Sequence, residues 1–326
     1  MKIISNEYIY PLDDLSCHAS HFVLLSGGDI FAVWFHGTAE GADDVCIFGA
    51  KKTAGKWGEP RQLTPDDGQP HWNPVLHRMP DGKIWLFYKS GKPIAEWRTM
   101  VMVSDDECET FTEGRELVPG DVSGGRGPVR NKVIGLSDGS LLAPGSTEEG
   151  EWKCFIDRSD DGGASWHRSD DIRIPAEFIA YCEDKTAHGL IQPTLWESSP
   201  GHVHALMRST EGKIFRSDSE DFGVTWSPAY ATVLPNNNSG IDVERVGDRL
   251  YLACNPIGNR RDSVWGRRTP LSILYSDDNG ESWEKLTDLA TGAGTFAYPA
   301  LRYADGRLYV TYTWNRKLIM HMCIEL

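Results

Sequence analysis

The segment SDDGGASW at Ser159–Trp166 recurs as SEDFGVTW at Ser219–Trp226 and as SDDNGESW at Ser276–Trp283. A weaker copy, SDDECETF, lies at Ser104–Phe111, and a fainter one ends at Trp57. The copies begin at positions 50, 104, 159, 219 and 276, and this regular spacing is typical of a repeated supersecondary unit. Because Asp can bind nearby backbone N–H groups, Gly adopts positive φ and Trp can anchor a hairpin, each copy predicts a tight turn between two strands.

Each repeat also contains an earlier hairpin whose tip is rich in Gly and Asp. Such dipeptides between apolar runs are a strong hairpin signal. The tips lie at Gly27–Asp29, Asp81–Gly82, Asp138–Gly139, Pro200–Gly201, Gly247–Asp248 and Asp305–Gly306. Two hairpins in each of six units predict an all-β fold, a six-bladed β-propeller with four-stranded antiparallel blades. The last unit lacks an outer strand, which we expect residues Lys2–Tyr10 to supply.

Composition and charge limit the classes of protein to which this chain can belong. The repeats run through residues 1–326 without a low-complexity linker, which predicts a single domain. The net charge of −14, from 47 acidic and 33 basic side chains, argues against nucleic acid as a partner. No secretion signal and no apolar segment of the roughly 18 residues that a membrane span needs is present. With seven cysteines that show no paired spacing, these features predict a cytoplasmic protein without a membrane partner. The sequence does not indicate an oligomeric state.

The chemistry should lie at one edge of the ring. In each blade the first strand begins and the second ends at the same edge, around the central axis. Polar residues stand at these positions, although the strands between them are apolar. Those at the beginnings are His18, His71, Asn73, Arg130, Asn131, Lys132, Gln192, Asn238, Asp242 and Tyr298. Those at the ends are His36, Lys89, Glu148, Arg208, Asn255 and Arg316.

Positive charge is concentrated at this edge. Lys89, Arg130, Lys132, Arg208 and Arg316 lie there in an otherwise acidic chain, with Arg98 and Arg126 on nearby loops. Clustered cations attract anions, and Arg binds carboxylates through its planar fork, so an acidic ligand is favoured. The alternative is that these cations pair with local acids, namely Glu40, Asp43, Glu148 and Asp242.

Three residues are suited to proton transfer. His18 and His71 hold equivalent positions in adjacent units, and His titrates near neutral pH. Tyr298 is a candidate nucleophile or acid–base group if nearby cations lower its pKa, and the alternative is a buried ring that lines the axis. A structural role is expected for His77, His167, His202, His204, His321 and the repeat-turn residues Asp161, Asp221 and Asp278. No His/Cys cluster has metal-ligand spacing, so no metal or cofactor is predicted.

The repeated turns on a six-unit array resemble the Asp boxes of the sialidase (neuraminidase) superfamily, and the edge residues resemble those of BNR-repeat, sialidase-like proteins. The segments that carry this likeness are HAS at 18–20, QPHWNPVL at 69–76, GPVRNK at 127–132, IQPTL at 191–195, NSGID at 238–242, YPAL at 298–301 and VTYTWNR at 310–316. The resemblance spans essentially the whole chain. It implies a carbohydrate-active protein whose substrate is an acidic oligosaccharide.

For an exo-sialidase, the resemblance implies three arginines on the substrate carboxylate, a Tyr nucleophile assisted by a Glu, and an Asp as acid–base group near the first blade. Tyr298 would match the Tyr, and Arg208 would match one arginine. The first arginine belongs in the opening blade, but this chain has no Arg before Arg61. His18 stands in the opening blade instead, which departs from the sialidase pattern.

The second activity implied by the resemblance is elimination beside a glucuronate, as in rhamnosyl-glucuronate lyases. Elimination needs a cation for the carboxylate, a base for the C5 proton and an acid for the leaving oxygen. His71, His18, Tyr298 and Arg208 supply these catalytic parts. The residues expected to bind substrate are Asn73, Lys89, Arg130, Asn131, Lys132, Glu148, Gln192, Asn238, Asp242, Asn255 and Arg316. We favour the lyase, with an exo-α-sialidase-type hydrolase and a non-catalytic glycan-binding propeller as alternatives.

Overall fold

The computed structural model of the chain describes residues 1–9, 14–178, 188–260 and 263–326. Within these ranges the chain forms β-strands and three short 3-10 helices, at Ser26–Gly28, Ile94–Glu96 and Ala176–Phe178, with no α-helix. The predicted all-β class is therefore confirmed. Tyr10 and Cys182 lie outside the described residues.

The strands are numbered here in chain order. The first ten are β1 (Lys2–Tyr8), β2 (Ser16–Leu24), β3 (Ile30–Gly37), β4 (Cys46–Thr53), β5 (Lys56–Trp57), β6 (Arg61–Gln62), β7 (His71–Arg78), β8 (Ile84–Ser90), β9 (Arg98–Ser104) and β10 (Arg115–Glu116). The next eight are β11 (Ile134–Gly135), β12 (Leu141–Thr147), β13 (Glu151–Ser159), β14 (His167–Arg168), β15 (His188–Ser199), β16 (His202–Ser209), β17 (Lys213–Ser219) and β18 (Tyr230–Pro235). The last seven are β19 (Asp242–Val246), β20 (Arg249–Cys254), β21 (Leu271–Ser276), β22 (Glu284–Ala290), β23 (Phe296–Ala304), β24 (Arg307–Trp314) and β25 (Leu318–Glu325).

The chain divides into two compact units. Unit 1 comprises residues 1–130 and 298–326, and unit 2 comprises residues 131–297. Unit 1 holds three antiparallel sheets, ordered β2-β3-β4-β5 with β6 beside β4, β7-β8-β9-β10, and β23-β24-β25-β1. Unit 2 holds three antiparallel groups, β11 to β14, β15 to β18 and β19 to β22. A short parallel pairing of β13 with β15 joins the first two groups of unit 2.

The N-terminal strand completes the last sheet of unit 1. Strand β1 pairs antiparallel with β25, so that Lys2 lies opposite Glu325 and Tyr8 lies opposite Met320. A side-chain hydrogen bond from His321 to Glu7, 3.3 Å long, links the two strands. The prediction that the N-terminus supplies the missing outer strand is confirmed over Lys2–Tyr8.

The repeated segment forms the turn that its sequence predicts. In the copy at Ser159–Trp166, Asp161 accepts hydrogen bonds from the Ser165 backbone N–H (2.9 Å) and hydroxyl (2.6 Å). The Ser159 hydroxyl donates to Asp161 and accepts from the Gly163 N–H, and the Trp166 indole donates to the Gly163 carbonyl. The same bonds recur at Ser219–Trp226 and Ser276–Trp283. These bonds hold the pKa of Asp161 at about 2, so the carboxylate serves its own turn.

The apolar cores lie between neighbouring sheets. In unit 2, one buried cluster packs Leu142 and Ile156 against Leu195 and Phe215, which belong to adjacent strand groups. The predicted Gly- and Asp-rich tips each join the first strand of a group to the second.

No helix in the described ranges is long and apolar enough to cross a membrane. The six cysteines of these ranges are buried and form no disulfide.

Candidate functional site

The beginnings of five of the first strands share an unusual backbone conformation. A non-glycine residue near each beginning has positive φ: Ala19 (55°), Asn73 (46°), Gln192 (55°), Asn238 (56°) and Tyr298 (56°). In β2, β7 and β15 the register with the partner strand shifts at this point, which marks a β-bulge. Such conformations cost about 1–3 kcal/mol each and concentrate at functional sites.

Sequence reasoning selected four of these residues for their side chains and missed the backbone feature that they share. A signal was present, because Asn73, Gln192 and Tyr298 each directly precede a proline. Proline has no N–H to donate to the strand ladder, so a proline within a predicted strand marks a place where the strand departs from regular pairing.

Unit 1 brings three predicted residues together, and we name His18, Tyr298 and Arg130 the imidazole–phenol cluster. The ring centroids of His18 and Tyr298 lie 4.2 Å apart. The Arg130 guanidinium lies 4.8 Å from the centre of the same Tyr298 ring. All three side chains are buried, with exposed fractions of 1%, 8% and 3% in the order named. An imidazole, a phenol ring and a guanidinium are therefore packed together in the interior of unit 1.

Local hydrogen bonds hold the cluster in place. The His18 Nδ1 lies 2.9 Å from the Thr313 hydroxyl, and the Phe35 ring packs edge-on against the imidazole. Arg130 Nη2 donates to the Pro299 carbonyl at 2.5 Å, directly after the positive-φ residue Tyr298. Thr313 was not predicted as a site residue, although it lies in the VTYTW segment of β24. These contacts orient the imidazole and the guanidinium that pack against the Tyr298 ring.

His71 is buried in unit 1 in its own set of contacts. Its Nδ1 lies 2.8 Å from the Thr64 hydroxyl, its Nε2 lies 3.6 Å from an Asp67 carboxylate oxygen, and its ring packs edge-on against Tyr88. Burial lowers the pKa of His71, although the charges of Asp67 and Asp66 oppose this effect. A neutral imidazole is the form that can act as a base.

A cleft of about 510 Å³ lies in unit 1 next to the position of His71 in the sheet. It is lined by Gln69 and Ser90, the latter paired with His71 across β7 and β8, and by Lys92, Arg98 and Asp121 among others. Lys92 pairs with Asp43, and Arg98 pairs with Glu116. The cleft is therefore polar and carries both signs of charge.

Two predicted cations of unit 1 are engaged with local groups. The buried Lys89 ammonium donates to the Thr99 hydroxyl (2.6 Å) and to the Arg126 carbonyl (2.9 Å). Arg316 forms an ion pair with Glu40. For Arg316 the structure thus shows the local pairing that the sequence left open as an alternative. Asn73, in contrast, is a buried polar residue on the bulge of β7.

Unit 2 brings Arg208, Gln192 and Asn238 together, and we name them the arginine cluster. Arg208 Nε donates to Asn238 Oδ1 and Nη1 donates to Gln192 Oε1, both at 3.0 Å. The guanidinium also lies 5.8 Å from the centre of the Trp265 ring. Both of these acceptors are neutral amides on positive-φ residues, and they orient the buried guanidinium.

Lys132 and Asp242 form a buried ion pair in unit 2. The Lys132 ammonium lies 2.7 Å from Asp242 Oδ2, donates to the Val243 carbonyl at 2.6 Å and lies 3.3 Å from Glu244. The Thr194 hydroxyl donates to the other Asp242 oxygen at 2.8 Å. The alternative of local pairing is therefore observed for Lys132 as well.

The remaining predicted residues of unit 2 are buried amides and one partly exposed acid. Asn131 Nδ2 donates to the carbonyls of Gln192 (3.0 Å) and Pro193 (2.9 Å), so it supports the bulge of β15. Asn255 Nδ2 donates to the Pro270 and Phe296 carbonyls. Burial raises the pKa of the Cys154 thiol. The charge of Glu148 raises this pKa further, and the charge of Arg208 lowers it.

Seven buried polar atoms of unit 2 have no hydrogen-bond partner among the described residues. Three of them are Asn238 Nδ2, Ser239 Oγ and Asn255 Oδ1, and the others are Thr147 Oγ1, Arg168 Nε, Asn237 Oδ1 and Asn259 Oδ1. Buried polar groups almost always find a partner, so water or a ligand is expected to serve these atoms. Ser239 was not selected from the sequence, where the Asn-rich run around it is also typical of a turn.

Comparisons with known proteins agree with this architecture. The family model described as the BNR repeat-like domain matches residues 28–310. No curated protein sequence matched the chain. A Dyadobacter fermentans protein of unknown function has a similar structure, with a TM-score of 0.79 and 14% identity over 100% of this chain and 99% of the other.

Sialidase structures are also similar. A Hadza microbial sialidase, Hz136, has a TM-score of 0.75 and 18% identity over 95% of this chain and 66% of its own. The NanB sialidase from Streptococcus pneumoniae has a TM-score of 0.73 and 12% identity over 98% of this chain and 70% of its own. At these identities the likeness concerns the fold. The family model covers most of the chain, and the protein therefore belongs to the BNR repeat-like family, with a sialidase-like fold.

Proposed function

We propose that this protein is a glycan-cleaving enzyme that breaks a glycosidic bond next to an acidic sugar by β-elimination. The observation that carries the proposal is the imidazole–phenol cluster, because it joins two proton-transfer groups to a cation. In the reaction, the His18–Tyr298 pair removes the C5 proton of a uronate and protonates the leaving oxygen at C4. The C4–O bond breaks as the C4=C5 double bond forms. Arg130 neutralises the carboxylate and so acidifies the C5–H bond.

The preference for an acidic substrate is supported by the buried guanidinium groups. Arg130 is held by a backbone carbonyl and Arg208 by two neutral amides, contacts that fix the direction of each charge. Within unit 2, we propose Arg208 as an anion-binding residue, with Asn238, Ser239 and Asn255 as hydrogen-bonding groups for sugar hydroxyls. Their buried atoms without a protein partner support this assignment.

The alternative function is hydrolysis of a terminal sialic acid, with Tyr298 as the nucleophile. The similarity of the fold to sialidases favours it. The two functions differ in what they require of His18, since an imidazole beside the tyrosine serves proton transfer in elimination. The proposal retains the predicted six-bladed propeller, supported by the three sheets of unit 1 and the three strand groups of unit 2.

The test is an incubation of the purified protein with rhamnosyl-glucuronate-capped oligosaccharides and, separately, with a sialoside. Elimination leaves an unsaturated uronate, which absorbs in the ultraviolet, and we expect this absorbance to rise with time. Release of sialic acid without the absorbance would overturn elimination in favour of hydrolysis. If neither product forms, the enzyme proposal fails, and calorimetry with the same glycans would test a binding protein.

Variants of the cluster test the assigned roles. We expect Tyr298→Phe and His18→Gln each to lower kcat by about 100-fold or more, because each removes a proton-transfer group. Tyr309→Phe, on the neighbouring strand β24, is the matched control and should keep the wild-type rate. An unchanged kcat in both cluster variants would show that these residues do not take part in the reaction.

A further inference from the structure

Ser198, His204 and Asp218 form a continuous hydrogen-bonded row on three neighbouring strands of unit 2. His204 on β16 lies directly opposite Asp218 on β17, with His204 Nδ1 2.5 Å from Asp218 Oδ1. Ser198 on β15 places its hydroxyl 2.7 Å from His204 Nε2. These residues lie outside the edge selected from the sequence, where His204 was expected to be structural.

The neighbours of His204 define which ring nitrogen carries the proton. Asn279 Oδ1 accepts a hydrogen bond from the Trp196 indole at 2.8 Å, so its amide Nδ2 points the other way, to His204 Nε2 at 3.2 Å. Nε2 therefore faces the Asn279 amide, which can only donate, and the Ser198 hydroxyl, which can donate to it. Nδ1 faces the Asp218 carboxylate, which can only accept, and also the donor Arg216 Nη2. We assign the proton to Nδ1, from which it is donated to Asp218. This is the tautomer that a general base for the serine hydroxyl requires.

Asp218 is held as an oriented carboxylate. The Tyr230 hydroxyl donates to it at 2.7 Å and Arg216 Nε donates at 2.8 Å, and Arg216 Nη2 also lies 2.9 Å from His204 Nδ1. Burial raises the pKa of Asp218, but the hydrogen bonds from His204, Arg216 and Tyr230 outweigh burial and bring it to about 2. The carboxylate thus stays ionised and can orient the imidazole.

Ser198 is both positioned and reachable. It lies where the register between β15 and β16 shifts, between Glu197 and Ser199, and bulges of this kind redirect a side chain. Ser198 is half-exposed, whereas the His204 side chain behind it is largely buried. A nucleophile open to solvent with its base in the protein interior is the arrangement that acyl transfer needs.

We propose that Ser198, His204 and Asp218 form a second catalytic centre that hydrolyses esters of small carboxylic acids. The Ser198 oxygen attacks the ester carbon and its proton passes to His204 Nε2. The alcohol leaves with that proton, and the acyl group remains on Ser198. Water then attacks the acyl carbon, gives a proton to His204, and releases the acid as the proton returns to Ser198.

The nearby donors indicate the substrate class. Asn279 Nδ2 lies 3.2 Å from His204 Nε2, the atom that the Ser198 hydroxyl also contacts, and we assign this amide to the developing oxyanion. Each oxyanion donor contributes about 100-fold or more to the rate of acyl transfer. The oxyanion is assigned one side-chain amide donor. We therefore assign the centre to esters, because the alcohol of an ester is a better leaving group than the amine of an amide.

The experiment uses the intact protein and a fluorophosphonate probe, followed by peptide mass spectrometry. We expect the probe on Ser198 in the wild-type protein. We also expect Ser198→Ala and His204→Gln to lower hydrolysis of p-nitrophenyl acetate by about 100-fold or more. Ser199→Ala, which changes the adjacent and more exposed serine, is the control and should react like the wild type.

An unlabelled Ser198 in folded wild-type protein would overturn the proposal, and so would a Ser198→Ala variant that hydrolyses the ester at the wild-type rate. The labelling result does not depend on whether a variant folds. It is also independent of the glycan activity, because no glycan is present.

Discussion

The Lys132 ammonium and the Asp242 carboxylate, 2.7 Å apart, are almost entirely buried. Taking two charges out of water is costly, and mutual attraction with extra hydrogen bonds offsets that cost. Asp242 also accepts from Thr194, and Lys132 also donates to the Val243 carbonyl, so the pair is well satisfied. Removing only one partner of such a pair strongly destabilises the folded protein.

We therefore predict that Lys132→Met lowers the free energy of unfolding by about 3–5 kcal/mol, because it leaves the Asp242 charge buried without its partner. Urea denaturation followed by tryptophan fluorescence measures the change. Arg249→Met is the control, since its ion pair with Asp277 lies at the surface and should matter little. A Lys132→Met variant as stable as the control would show that the pair is not effectively buried.

At the scale of the strand and its connections, the strand groups of unit 2 meet through a close backbone approach. Gly189 in β15 has a φ of 130° and pairs with Trp152 in β13. A Cβ at this position would overlap the Trp152 carbonyl oxygen, so only glycine fits. The Gly189 N–H and carbonyl are bonded to Thr210, which leaves the backbone little freedom to move aside.

Gly189→Ala should lower the free energy of unfolding by about 2–5 kcal/mol, because it combines a disfavoured φ with overpacking of a buried contact. The matched control is Gly247→Ala, where φ is also positive (62°) but the space around the new methyl group is open. We expect the control to lose only about 1–2 kcal/mol. Equal losses in the two variants, measured by urea denaturation, would contradict the close approach.

At the scale of the whole chain, strand β1 links the first residues of the sequence to the last. His321 on β25 is buried, bonds to Glu7 on β1 and packs against Trp57. Burial lowers the pKa of His321, although Glu7 opposes the effect, and burial likewise lowers the pKa of His71. The unfolded chain therefore binds protons to these side chains more readily than the folded chain does.

From these shifts we predict that the free energy of unfolding falls as the pH drops through 6.5, the ordinary pKa of histidine. Above that pH the side chains are neutral in both states and the effect is absent. Urea denaturation at a series of pH values measures this dependence. His321→Gln should show a shallower fall, while His202→Gln, an exposed control, should behave like the wild type. Equal pH dependence in all three proteins would contradict the assignment.

Local patterns of sequence predicted much of this architecture. The repeat turns and hairpin tips are specified by residues within eight positions of one another, so their strands could be placed from the chain alone. The pairing of Lys132 with Asp242 joins residues 110 positions apart, and the row from Ser198 to Asp218 depends on a bulge and on three strand registers. Such contacts depend on packing geometry, which a single sequence does not reveal.

The bulges with positive φ have a consequence for how such a protein changes over evolutionary time. At Asn73, Gln192 and Tyr298 a residue with positive φ precedes a proline, and at Asn73 and Gln192 the register with the partner strand also shifts. Two amides and a phenol share this backbone conformation, so the conformation does not require one particular chemical group. A lineage can exchange an amide for a phenol there and acquire a new reaction while keeping the same scaffold.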